Sequence, residues 1–572
     1  MSDPLQRLLR PKSIAVVGGG AWCEAVVKRC QDADFEGPIW PVHPKKESVC
    51  DLPVYRSEDA LPAPPDATFV GVNRNATVDV IRQLSAIHAG GAVCFASGFK
   101  EADDGKALQN ELLEAADGMP FLGPNCYGYL NLLDGAALWP DVHGGTTVDH
   151  GVAIITQSSN IAINLTMQTR GLPIAYVVTA GNQADQGVAD IALSLLSDER
   201  VTALGLHIEG FQDIEAYEEL SQSAREAGKP IFVLKVGKSD EAQRATISHT
   251  GSLAGSETGA NALIERLGFG QVDNLGAFLE ALKIGHLAGG LKGKNILSLS
   301  CSGGEASLVA DSASKYGLNF PEFSDAQVEA LRSVLSAEVS FTNPLDYHTH
   351  IWRDVEAMTT VFAAAANHPD IDLAILVLDF PRPDRCDISD WELVIEAAEQ
   401  AQIKTGRTFA LLASMPENMP EVIAKRLLEL GLLPLCGLEE AMAAICASVT
   451  SNPAFEERPP VALPKSYQNT FAKTVLSEAQ SKKVLAEYGL KIPKSARCSD
   501  RQECPALAAE IGFPVVLKGE DIAHKTELGA VVLNIQNEHD VAAAAKSIPS
   551  DTFFVEEMIA NPVCELLIGV LR

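Results

Sequence analysis

The segment SIAVVGGG at residues 13–20 decides the class of fold. Ile14, Ala15, Val16 and Val17 make a buried strand, and Gly18, Gly19 and Gly20 follow where a strand turns into a helix. Glycines at such a turn let a phosphate approach the backbone at the helix start. A helix is expected around residues 24–32 and a second strand at 39–42, so the chain opens as a Rossmann-like α/β unit. Strict GxGxxG spacing is absent, because Cys23 stands where the third glycine would fall. After the second strand, where a ribose-binding carboxylate would be needed for NAD, the sequence reads His43, Pro44, Lys45, Lys46. A basic segment there suits phosphates better than a bare ribose diol. Further strands at 67–72 and 91–96 complete a domain spanning 1–140.

The same grammar recurs twice downstream. GVAIITQSSNIAINL at 151–165 and NILSLSCSGGEASLV at 295–309 each read as a strand, a small polar turn and a helix. They open two flavodoxin-like, doubly wound domains, expected at 148–290 and 293–452. PAFEERPPVALP at 453–464 holds four prolines in twelve residues and marks a linker, taken as 453–466, before a last segment at 467–572.

With 572 residues the chain is too long for one core, and length alone suggests about four domains. A net charge of −30 argues against nucleic acid or an anionic membrane as a general partner, because either needs a basic face. It leaves phosphorylated small molecules open, since local glycine turns and helix starts bind them. No stretch approaches the roughly 18 apolar residues of a membrane span. The N-terminus lacks the basic start and long apolar run of a signal peptide, and the twelve cysteines fall singly, without metal-ligand spacing. A cytoplasmic location is expected.

RATISHTGSLAGS at 244–256 places His249 among small hydroxylated residues and glycines, between a strand ending at Lys235 and a helix expected from near Glu257. Such a loop is either an incidental polar surface loop or one that leaves an imidazole open for chemistry. Further motifs follow in order along the chain: GPNCYGYLN at 123–131, TQSSNIA at 156–162, HIEGF at 207–211, SGGEAS at 302–307, NPLDY at 343–347 and HKTELGAVVLN at 524–534. Together with the histidine loop they resemble the nucleoside-diphosphate-forming acyl-CoA synthetases, a family that includes ADP-forming acetyl-CoA synthetase and succinyl-CoA synthetase. The resemblance covers essentially the whole chain.

It implies an α/β protein with a Rossmann-like CoA-binding domain, two flavodoxin-like domains and the start of an ATP-grasp domain. It implies the reaction acid + CoA + ATP ⇌ acyl-CoA + ADP + phosphate, through an acyl phosphate and a phosphohistidine. On this basis His249 is the phosphorylated residue, Glu209 its orienting carboxylate, and His524 a second histidine that relays the phosphoryl group. Two helix starts hold the phosphoryl oxygens, one at Gln157, Ser158, Ser159 and Asn160, the other at Ser302, Gly303 and Gly304. Ser159 replaces a usual glycine, and Glu305 sets a carboxylate beside the second start, expected to point outward as a dipole-complementing group. CoA contacts fall on Gly18, Gly19, Gly20, His43, Pro44, Lys45, Ser97, Gly98, Phe99, Asn125 and Cys126. Cys126 is read as a lining residue, not a nucleophile.

For ATP or ADP, the resemblance points to Lys518, Glu556, Glu557 and Glu565. Ligands for Mg2+ are expected beyond Arg572 and none within the chain, so the chain as it stands would bind CoA without turning over ATP. Asp346, Tyr347 and Trp352 are candidates to line the acid, and their aromatic character predicts an acid larger than acetate. A homo-oligomer with small-molecule partners is expected. Two other readings stay open on the residues: a CoA- or acyl-CoA-binding module without complete catalysis, and an ATP-grasp ligase with a non-thiol acceptor.

Overall fold

The computed structural model describes residues 3–102, 104–239, 241–242, 257–452, 476–520 and 529–559. His249, His524, Glu565 and the expected linker at 453–466 lie outside the described residues. The chain divides into two compact units, Met1–Val461 and Ala462–Arg572.

Among the described residues, three large sheets and a short antiparallel pair, Ser48–Val49 with Leu52–Pro53, build the first unit. The first is parallel throughout, in the order Ile39–Val42, Ile14–Val17, Ala67–Val70, Ala92–Cys94, Phe121–Leu122. Its inner strands, IAVV and ATFV, are buried at every position, as strands covered by helices on both faces must be. The second sheet runs Gly270–Val272, Ile231–Lys235, Val201–Ile208, Gly151–Thr156, Ile174–Thr179, and the third runs Leu345–Asp346, Ile296–Ser300, Leu373–Val377, Phe409–Ala413, Leu433–Cys436. In each, strand order reverses beside the first strand, and the crevice outside the carboxyl ends there is where open α/β sheets bind ligands. Residues 157–160 and 209 emerge at the second crevice, and residues 301–305 at the third.

The junction near residue 140 differs from expectation. Tyr129–Asn131 and Ala136–Leu138, assigned from sequence to the first domain, form a hairpin that extends the second sheet antiparallel to Ile174–Thr179. The reason is physical: all six residues of Ile174–Thr179 are buried, and its open edge needs a partner for its backbone groups. The turn at 123–128 is therefore a crossover between sheets. Gly128 has φ 102°, and a Cβ there would come 2.3 Å from the Leu138 carbonyl oxygen, which makes glycine obligatory.

A buried ion cluster ties the second sheet's helix Leu275–Ala288 to the third sheet. Arg170 Nη1 donates to Glu280 Oε1 at 2.7 Å and to the Cys436 carbonyl at 2.9 Å, while Lys283 Nζ lies 2.8 Å from Glu280 Oε2. Cys436 N donates to Glu280 Oε2 at 3.0 Å, so the carboxylate is fully engaged. Removing either partner would strand a buried charge.

The second unit is a four-stranded antiparallel sheet, Ser495–Cys498, Phe553–Glu557, Val515–Gly519, Val531–Ile535, with helices Glu478–Glu487, Cys504–Ile511 and Glu538–Ser547. Its core is small and built around Val515, Leu517, Phe553 and Val555.

Candidate active site

A cavity of about 960 Å³ opens between the first and second sheets. The first domain lines it with Asn73, Arg74, Phe95, Ser97 and the turn Asn125, Cys126, Tyr127; the second contributes Gln157, Ser158, Ser159, Asn160 and Glu209. Residues remote in sequence meet because both glycine- and serine-rich turns sit at strand carboxyl ends.

The second-sheet side is clasped from within. The Gln157 side-chain carbonyl accepts from Glu209 N and, at 3.3 Å, from Gly210 N, while its amide donates to the Gly210 carbonyl at 3.4 Å. Gln157 thus holds the backbone that presents Glu209. Ser158 caps the helix Ser159–Thr166, its Oγ accepting from Ile161 N at 3.4 Å. Ser159 Oγ accepts from Tyr127 N at 3.3 Å and joins the two domains across the cavity.

Beneath this turn His207 is buried, with Nδ1 2.9 Å from Thr156 Oγ1. Burial, aided by the Lys235 charge, pushes its pKa down to about 4, so the imidazole is neutral. Lys235 is itself lowered, by burial and by Lys238, against the pull of Glu209 and Glu257.

The Cys126 thiol is buried and pushed up to about 12 by desolvation, which leaves it a packed thiol without thiolate character. Asn125, at φ 59°, donates from Nδ2 to Asn182 Oδ1 at 3.4 Å. Ser97 lines the cavity, whereas Phe99 is fully buried. The Gly98 and Phe99 N–H groups already donate to Glu101, at 2.6 and 3.2 Å. A contact of Gly98 or Phe99 with CoA would have to displace that carboxylate. Gly18, Gly19, Gly20, His43, Pro44 and Lys45 lie outside this cavity's lining. His43 packs against Gly19, where a Cβ would come 2.5 Å from its ring, and its Nδ1 accepts from Lys45 N and Lys46 N at 3.1 and 3.0 Å.

At the third crevice, Ser302 starts the helix Gly303–Lys315 without a side-chain cap. Glu305 does not point outward as expected: its Oε2 is buried. Asp346 lies alongside, its Oδ2 3.2 Å from where a Cβ on Gly303 would stand. Tyr347 is fully buried with its ring edge-on to Phe362 at 5.4 Å, and Trp352 packs edge-on against Trp391 at 5.7 Å. The Tyr347 ring belongs to the core and cannot offer its face to an acid.

In the second unit Lys518 Nζ lies 2.6 Å from Glu478 Oε1 and 2.9 Å from Glu556 Oε2, and Lys482 pairs with the same two carboxylates. Burial opposes the Lys518 charge, but the bonds from Glu478 and Glu556 outweigh it and hold its pKa above the ordinary lysine range. Glu557 Oε2 accepts from Lys494 N at 3.3 Å.

Residues 12–131 match a CoA binding domain, 149–284 a succinyl-CoA ligase like flavodoxin domain, and 469–572 an ATP-grasp domain. A trans-feruloyl-CoA synthase from an unknown prokaryotic organism is 29% identical, over 98% of this chain and 81% of its own length. The acetate–CoA ligase [ADP-forming] I of Archaeoglobus fulgidus is 26% identical, over 96% and 80% respectively. The three domains, in this order, and both relatives make the chain similar to the NDP-forming acyl-CoA synthetases. Among solved structures, the dinucleotide forming acetyl-coenzyme A synthetase 1 of Ca. Korarchaeum cryptofilum, in complex with phosphate and ADP, shares the fold of this chain. Its TM-score is 0.67 at 23% identity, covering 78% of this chain and 96% of that one.

Of the residues the sequence nominated, the fold brings Ser97, Asn125, Cys126, Gln157, Ser158, Ser159, Asn160 and Glu209 into one cavity. Ser302, Gly303, Gly304 and Asp346 form a separate crevice in the same unit. Sequence reading missed Asn73, Arg74 and Tyr127. Asn73 caps the helix Arg74–Ala86 by accepting from Ala76 N at 3.1 Å, and an Asn–Arg pair directly after a buried strand was the available signal. Among the described residues no group of acidic, histidine or cysteine side chains could hold a metal ion, and no helix is long and apolar enough to cross a membrane.

Proposed function

We propose that this protein joins a carboxylic acid to CoA while converting ATP to ADP and phosphate, and that His249 carries the phosphoryl group between sites. The observation that carries the reading is the shared cavity, where the turn bearing Asn125 and Cys126 faces the helix start at 157–160 and Glu209. In this reading the N–H groups at Ser159 and Asn160 receive phosphoryl oxygens, since the first N–H groups of a helix lack internal partners. Glu209, fixed through the Gln157 clasp, accepts the second ring N–H of His249 and stabilises the imidazolium that phosphorylation creates. A neutral group placed there would leave that cation uncompensated. His524 takes the phosphoryl group onward to ADP, and Lys518 offers its charge to the nucleotide once phosphate displaces Glu478 or Glu556. Glu556, Glu557 and Glu565 belong to the nucleotide side of the reading. Gly18, Gly19, Gly20, His43, Pro44 and Lys45 would take the far end of CoA.

Mg2+ would arrive with the nucleotide. The described residues supply no site for it, and no step here depends on it. The same reading includes a homo-oligomer working in the cytoplasm, where single thiols stay reduced. It also includes an acid larger than acetate, with Trp352 beside it. A panel of acids incubated with CoA, ATP and the chain joined to a complete ATP-grasp domain should give CoA-dependent ADP release with at least one acid. Release that needs an amine in place of CoA would replace the reading. Acetate being the best acid, or a Trp352→Ala change that leaves the ranking untouched, would remove that residue from substrate choice.

A further inference from the structure

The wall that the first domain gives to the cavity between the first and second sheets is aromatic. Phe95 and Tyr127 line it, with ring centroids 5.8 Å apart. Behind them stand Phe69, 5.6 Å from Phe95, and Trp139, edge-on to Tyr127 at 5.6 Å, both fully buried. Trp22 closes the group from the side, 5.6 Å from Phe95 and 6.3 Å from Tyr127, and stays 46% exposed. Rings that serve only the core are buried completely, as Phe69 and Trp139 are; Phe95 and Tyr127 are half-buried and border open space. Their backing fixes them in place, so the cavity meets a rigid apolar surface.

This surface adjoins the polar turn of the second domain. Tyr127 N donates to Ser159 Oγ at 3.3 Å, which sets the ring beside the helix start at 157–160. Burial, and then the neighbouring Asp141 carboxylate, raise the Tyr127 pKa, so the side chain stays neutral. Among the described residues lining the cavity Arg74 is the one cation, and it is engaged. Its Nη1 donates to the Gly98 carbonyl at 2.7 Å and to Asp104 Oδ1 at 2.9 Å, and its Nη2 to Asp104 Oδ2 at 2.7 Å. A ligand with a second anionic group would have to break that pair and would face Glu209 as well. A short aliphatic acid would leave both rings wet. An aromatic ring covers them and gains ring-to-ring attraction in addition to burial.

We propose that Phe95 and Tyr127 select an arylcarboxylic acid, one carboxyl group carried on an aromatic ring or on a short chain ending in one, with the ring against this wall and the carboxyl group toward the helix start at 157–160. The proposal rests on the acid–CoA ligase reading above and names the substrate class of that site. The two residues set specificity by touching the body of the acyl group; the phosphoryl chemistry stays with His249 and Glu209. The far end of CoA is assigned to Gly18–Gly20 and His43–Lys45, outside this lining. Trp22 follows those glycines directly and borders both regions, so Phe95 and Tyr127 are the positions that separate acyl recognition from CoA recognition.

Thioester binding reads this wall without any ATP chemistry. In calorimetry the intact chain should bind benzoyl-CoA at least about tenfold more tightly than acetyl-CoA. Phe95→Leu and Tyr127→Leu keep an apolar side chain but remove the ring, and each should cut that preference to about threefold or less while the Kd of CoA itself moves by no more than about twofold. Tyr127→Phe keeps the ring and should keep the preference, with thermal melts confirming that each variant folds. Equal affinity for the two thioesters in the wild type would overturn the proposal. So would a loss shared equally by CoA, acetyl-CoA and benzoyl-CoA in the leucine variants, which would make the wall part of the CoA site, or a preference that moves with Trp352→Ala and not with Tyr127→Leu. A chain that binds no CoA compound, yet binds benzoate and loses it in Tyr127→Leu, would sink the ligase reading and leave the aryl-acid site standing. Binding of neither the thioesters nor benzoate would sink both.

Discussion

The helix starts at Ser158 and Ser302 close the same strand–turn–helix and differ in what they leave unpaired. At each, a hydroxyl at the strand end donates to the carbonyl two residues on: Thr156 Oγ1 to Ser158 at 3.2 Å and Ser300 Oγ to Ser302 at 3.0 Å. Beyond that the two diverge. The first is closed on itself, with Ser158 capping its helix and Gln157 clasping the strand end that carries Glu209. The second is uncapped, with a buried acid on the helix itself. Burial also shifts a titratable group in each crevice, lowering His207 to a pKa of about 4 and raising that of Glu305, which Asp379 and Asp346 raise further. The lesson is that one turn chemistry can frame opposite electrostatics, because the partners come from other strands.

The largest expected effect tests whether the two starts serve one phosphoryl group. His249→Ala should reduce acyl-CoA formation to background and abolish acid-labile, base-stable labelling by γ-labelled ATP. Labelling at the wild-type level in that variant would detach His249 from both crevices.

Next comes the carboxylate of the first crevice. Glu209→Gln preserves the backbone bonds to Gln157 and should fold normally, yet lower kcat by about 10²-fold or more, as expected when charge opposite a developing cation is lost. The KM for CoA should stay nearly constant. A variant within about threefold of wild type would reduce Glu209 to a strand-end residue.

The shift at His207 in the first crevice can be read from stability. The folded His207 pKa, near 4, lies below the ordinary value of 6.5, so between them the unfolded chain takes up a proton that the folded chain refuses. Stability is therefore lost as pH falls through that window, by at most about 3 kcal/mol for this group. His286, also pushed down to about 4 by burial and by His150, acts in the same window. His207→Gln should remove only its own share of the loss in denaturation measured from about pH 7 to about pH 4. An unchanged slope would mean that His207 titrates alike in both states.

The smallest effect concerns the caps. Ser158→Ala should weaken its helix by about 1 kcal/mol, seen as roughly fivefold faster amide exchange in the first turn. Ser302→Ala should change exchange in its helix by far less, since no cap bond is lost. Equal effects would erase the distinction between the closed and the open start.

Much of this was legible in the residues. Apolar strands ending in small polar turns at 14–20 and 151–160, and the Ser-containing ILSLS strand before the turn at 301–304, point to parallel sheets and their ligand crevices without any coordinates, because strands covered on both faces are dominated by apolar residues. His249 and His524 are nominated by their motifs alone, and both lie outside the described residues. The hairpin at 129–138 was misassigned because its strands have three residues each and its pairing partner, Ile174–Thr179, lies more than 35 residues away. Glu305 was misread because a residue in a first helical turn points outward by default, and what buries it comes from elsewhere.

The sequence by itself determined the order of domains, the family resemblance, and where strands end in small polar turns, all of which depend on neighbours within a few residues. Tertiary structure alone decided which turns face each other: that Asn125 meets Gln157 and Glu209, that Gln157 holds Glu209 from 52 positions away, and that Asp346 and Asp379 flank Glu305. The physical reason is that charge and desolvation act through space over a few ångströms, and strand order, not chain order, sets those distances.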